Sequence, residues 1–140
     1  MEYGDYECSH CALAHPVVNQ VQLYFSGRMR FAFRHFPLTE IHPVRRRSRV
    51  ILGYVRQIRL NIPTIFLIAE ELGLPETAMR NALETGQYRK KVRSDFMSGI
   101  RSGVNGTPTF FINGVRHDGA YDHASLVSGI QMRLAADTSV

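Results

Sequence analysis

Along the chain the apolar positions change period, and each change marks an element. Glu2-Tyr3-Gly4-Asp5 ends a strand and enters a turn. From Cys8 onward, Leu13, Val17, Val21 and Tyr24-Phe25 recur at the spacing of one helix face. Pro16 predicts a kink early in that helix, and Ser26-Gly27 predicts its end. Phe31 and Phe33 then alternate with Arg30, Ala32 and Arg34, the pattern of a strand, which Phe36-Pro37-Leu38 leaves.

The middle of the chain turns helical again. Thr64 to Leu72 predicts a helix ended by Gly73, and Pro75 to Leu83 predicts another with proline near its first turn. Tyr88, Val92, Phe96, Gly99-Ile100 and Gly103 line one face of a longer helix, and glycines on that face predict close packing. Thr109 to Ile112 reads as a strand, Asn113-Gly114 as a two-residue hairpin turn, and Val115-Arg116-His117 as the returning strand. Asp122 is placed to cap a last helix carrying Leu126, Val127, Ile130 and Leu134. A helix between two strands implies a parallel crossover, and the hairpin adds an antiparallel strand. The expected class is α/β, in one domain over residues 1–140 with helices inserted at about 44–104.

Composition narrows the function. A chain of 140 residues with 44% hydrophobic and 21% charged residues suits one packed core. No apolar run is long enough to cross a bilayer. The start lacks a basic stretch followed by an apolar one, so no secretory signal is expected. That points to the cytoplasm, or to an extracytoplasmic site if a leader has been removed. The net charge of +5 is concentrated in Arg45, Arg46, Arg47, Arg49, Arg56 and Arg59. No stacking aromatics or nucleic-acid motif accompany them, so they read as a solvated face rather than a nucleic-acid site.

The chemistry lies in the only two cysteines of the chain, Cys8 and Cys11, in "ECSHC". A C-x-x-C at a strand-to-helix junction reads as a redox pair. Unpaired N–H groups and the helix dipole at that position favour a thiolate, so the first cysteine can attack a disulfide near neutral pH. The second, one turn on, can resolve the mixed disulfide. His10, between them, would add a donor or a positive charge. C-x-x-C is also half of a zinc site. His15, His35, His42, His117 and His123 are available as further ligands, but none forms a C-x-x-C or H-x-x-x-H pair.

The segments "EYGDYECSHC", "FRHFPL", "SGVNGTPTFFING" and "HDGAYD" together resemble the DsbA-like family of thioredoxin-fold thiol–disulfide oxidoreductases. The resemblance runs over Glu2 to Pro43 and Thr64 to Leu134. It implies a thioredoxin-like fold ordered β-α-β, helical insertion, β-hairpin, α. It implies that Cys8 is the exposed nucleophile and Cys11 the buried resolving thiol. Pro108 would be a cis-proline facing them, leaving the Thr107 backbone to pair with an extended substrate. The implied activity is exchange with protein or peptide thiols and disulfides, using no cofactor and a redox partner the sequence does not specify. His35 reads as a packing residue. The chain departs from the family at Ser9, where proline is familiar, in a shortened first strand, and over Val44 to Pro63, which does not look like the family. Two rivals stay open: a degenerate thioredoxin-fold binding protein without catalysis, and a zinc-binding module.

Overall fold

The computed structural model describes residues 1–38 and 62–137. The arginine cluster of residues 45–59 and His42 lie outside the described residues.

The described elements follow the expected order. Strand β1 (Glu2–Gly4) leads into helix α1 (Ser9–Phe25) and strand β2 (Phe33–His35). Helices α2 (Ile62–Glu71), α3 (Glu76–Thr85) and α4 (Arg89–Arg101) come next. Strands β3 (Thr109–Ile112) and β4 (Val115–His117) and helix α5 (His123–Asp137) complete the chain. The sheet order is β2-β1-β3-β4, with β1 parallel to β2, antiparallel to β3, and β3 antiparallel to β4. This is the thioredoxin-like arrangement. Its hairpin turns at Asn113 and Gly114, both with positive φ (47° and 83°), which asparagine and glycine tolerate best. Asp122 caps α5 by accepting the Ser125 N–H at 2.9 Å. No helix among the described residues is long and apolar enough to cross a membrane.

The sheet separates two apolar layers. On one face Phe110 packs with Ala14, Val18, Val21 and Phe25 of α1 and Leu126 and Val127 of α5. On the other, Tyr3 and Phe111 pack with Phe36, Val104 and Phe96. Adjacent strand residues point to opposite faces, so Phe110 and Phe111 serve different layers. Gly99 of α4 lies against this second layer, where a Cβ would meet the Phe36 ring at 2.5 Å. The expected close approach is therefore real, and it falls on Gly99.

Two expectations shift. The buried face of α1 is Cys11, Ala14, Val18, Val21 and Phe25, and Leu13 is 60% exposed. The stripe is turned because the small residues Cys11 and Ala14, not the larger Leu13 and Val17, let the helix approach the sheet. Phe31 lies outside β2, whose register begins with Glu2 opposite Phe33.

Candidate active site

Cys8 reaches its position through Asp5. That buried carboxylate accepts the N–H of Glu7 at 3.1 Å and of Leu38 at 3.0 Å, and the Asp5 carbonyl accepts the N–H of Cys8 at 3.0 Å. Leu38 follows β2, so one side chain ties the exit of β2 to the turn between β1 and α1. Cys8 is then the N-cap of α1, in extended conformation and without a side-chain capping bond. A helix start is where unpaired N–H groups gather.

Cys8 and Cys11 are both free thiols. Cys11 has no exposed surface and Cys8 keeps 6%. Cys8 is thus more covered than an exposed nucleophile implies. Part of the cover is the segment bearing Thr107, whose carbonyl oxygen accepts the Cys8 thiol at 3.3 Å. The Thr107–Pro108 peptide bond is cis.

The two sulfurs are pushed in opposite directions. Hydrogen bonding from the Cys11 thiol lowers the Cys8 pKa most. Burial opposes this, while Thr107 and the backbone N–H groups of Cys11 and His10 add to it, leaving Cys8 at about 5. Cys11 is pushed well up, first by Cys8 and then by burial. Both directions favour a proton on the buried sulfur and a thiolate on Cys8, the state an attacking pair needs. The Thr107 hydroxyl oxygen is buried and has no hydrogen-bond partner among the described residues.

The His10 ring lies with Nδ1 3.2 Å from the Tyr121 hydroxyl. His35 packs at β2 against Tyr6, with ring centroids 5.5 Å apart. Tyr121 had no assigned role in the sequence, and neither did Glu2, a strand carboxylate only 2% exposed. Burial, and then the charge of Glu2, raise the Tyr6 hydroxyl to about 12. Nothing local signals Tyr121, which lies 111 residues from His10. Among the described residues, no group of three or more histidine, cysteine or acidic side chains could hold a metal.

The DSBA-like thioredoxin domain family matches residues 45–131. The matched stretch includes the arginine-rich segment that had read as unlike the family, and it begins after Cys8 and Cys11. Curated relatives span more of the chain. The Na+/H+ antiporter NhaA 1 of Salinispora arenicola is 30% identical over 96% of this chain and 23% of its own length. The NhaA of Nitrosospira multiformis is 33% identical over 90% and 23%, and the NhaA 3 of Salinispora tropica 28% over 97% and 23%. The chain spans about a quarter of the length of the curated relatives it matches. By the match over most of its length, the chain belongs to the DSBA-like thioredoxin domain family.

Proposed function

We propose that this chain catalyses thiol–disulfide exchange with protein or peptide substrates through Cys8 and Cys11. The observation that carries this is the placement of the pair: Cys8 at the N-cap of α1 against the Thr107 carbonyl, with Cys11 one turn on and without exposed surface, an arrangement that favours a thiolate on Cys8. In the reducing direction, the Cys8 thiolate attacks one sulfur of a substrate disulfide. A Cys8–substrate bond forms, and the other substrate sulfur leaves as a thiolate. Cys11 then gives up its proton and attacks the Cys8 sulfur. The Cys8–Cys11 bond forms, the second substrate sulfur leaves, and two electrons have passed to the substrate. In the oxidising direction a substrate thiolate attacks Cys8 of the disulfide and the same bonds exchange in reverse. A second thiol–disulfide couple restores the pair.

The chemistry requires no metal or organic cofactor. The Thr107 carbonyl meets the attacking sulfur, the bond to Pro108 is cis, and the Thr107 backbone is the edge on which an extended substrate would pair. Cys8→Ser should abolish exchange of a dithiol–disulfide peptide. Full activity in that variant would defeat the proposal and favour a binding role.

The names of the relatives favour one class of partner. They are Na+/H+ antiporters about four times the length of this chain. We read an antiporter polypeptide as the candidate working partner of the domain. A Cys11→Ser variant, which cannot resolve its mixed disulfides, would capture that partner covalently. Recovery of other chains alone would reject the antiporter.

A further inference from the structure

The first turn of α1 is poorly provided with its own supports. Its N-cap residue makes no side-chain capping bond, and no acid stands in the turn. Helix starts ordinarily satisfy these N–H groups with a serine, threonine, aspartate or asparagine cap. The backbone N–H groups of His10 and Cys11 favour a thiolate at Cys8 all the same. How well those groups serve the sulfur depends on how firmly the turn is held.

One side chain of that turn is tied to a distant element. His10 Nδ1 and the Tyr121 hydroxyl are 3.2 Å apart. Tyr121 is itself well seated. Its ring packs against the core cluster that holds Ala14, Val18, Phe110, Leu126 and Val127. The residues beside it are fixed too. His117 Nε2 lies 3.0 Å from the Ala120 carbonyl oxygen, an acceptor, so that nitrogen donates. Ser125 Oγ is 3.3 Å from the same nitrogen, and Asp122 accepts the Ser125 N–H. The hydroxyl facing His10 is therefore mounted on a held loop, as a positioning group requires.

We propose that Tyr121 is a positioning residue for the cysteine pair: its hydroxyl anchors His10 and so holds the uncapped first turn of α1 against the Cys8 sulfur. The consequence for redox poise rests on the exchange function proposed above; the geometry does not. A tyrosine hydroxyl both donates and accepts, so the tie survives a change in the protonation of His10. Support for a thiolate favours the dithiol state over the disulfide. Loosening the tie therefore makes Cys8 hold its proton more tightly and makes the pair more reducing.

Tyr121→Phe keeps the ring and removes the hydroxyl. In the reduced protein at pH 5, Cys8 alkylation should slow by about two- to tenfold, the effect of one hydrogen bond on an ionisation. The midpoint of the Cys8–Cys11 couple in glutathione buffers should move to a more reducing value. His10→Ala should slow alkylation equally, and the double variant no more than either single one. An unchanged profile in Tyr121→Phe, or additive slowing in the double variant, overturns the proposal. If Tyr121→Phe does not fold, His10→Ala at its exposed site decides: slowing supports the anchor and no slowing rejects it. A wild-type chain without a reversible couple would remove the exchange function while leaving the alkylation test intact, so the two failures are distinguishable.

Discussion

The two faces of the sheet handle buried polarity in opposite ways. On the α4 face Asp95 is 1% exposed yet fully engaged: it pairs with Lys91 and Arg34 and accepts the His35 N–H at 3.3 Å. That carboxylate joins α4 to β2. On the α1 face the helix begins without a side-chain cap, and the N–H groups of its first turn favour a thiolate at Cys8. The hydroxyl of Thr107, whose carbonyl meets that sulfur, is buried and has no hydrogen-bond partner among the described residues. A satisfied polar group fixes the fold; an unsatisfied donor beside a nucleophile is available to charge that appears during a reaction.

The comparison can be broken at several points. The largest effect belongs to the cysteines: Cys11→Ser should halt turnover and accumulate a mixed disulfide at Cys8, read by mass under non-reducing conditions. Turnover at the wild-type rate would make Cys11 dispensable and the split between the sulfurs irrelevant.

Next is pH. The Cys8 thiol is lowered from 9.0 to about 5, so the unfolded chain binds that proton more tightly than the folded one. The thiolate's contribution to stability is thus present at alkaline pH and lost as pH falls through about 5. Reduced wild type should lose stability relative to Cys8→Ser between pH 8 and pH 5, and Cys8 alkylation should reach half its rate at about pH 5. Half-rate at the ordinary thiol value would mean that the start of α1 gives the sulfur no support.

The opposite face should respond in stability alone. Asp95→Ala leaves the partly buried His35 N–H without its carboxylate and should cost about 1–3 kcal/mol in denaturant unfolding. Lys91 and Arg34 can turn to water, so little more is lost. Gly99→Ala presses a methyl onto Phe36 and should cost about 1–2 kcal/mol, seen as a lower melting temperature. Neither should move the Cys8 alkylation profile. A shift in that profile would show that the two faces are coupled.

Much of the fold was legible because its signals are local. Asn113-Gly114 carries its own turn geometry, Asp122 caps the helix directly after it, and C-x-x-C marks a helix start. What escaped depends on which face meets the sheet. Leu13 is larger and more apolar than Ala14, yet Ala14 is buried because the helix lies close to the sheet there. Asp95 stands on a helix rich in charged residues, and only its partners from β2 explain its burial. In the candidate site the pair of cysteines and Thr107 were readable. The cover over Cys8 and the turn of His10 toward Tyr121 depend on contacts across about a hundred residues of chain.

The most direct test is a redox titration of the purified chain in glutathione buffers, with free thiols alkylated and counted by mass. A reversible two-electron step that joins Cys8 to Cys11 is the expected result. A folded chain whose two thiols alkylate independently at every potential, with no disulfide between them, would contradict the exchange function.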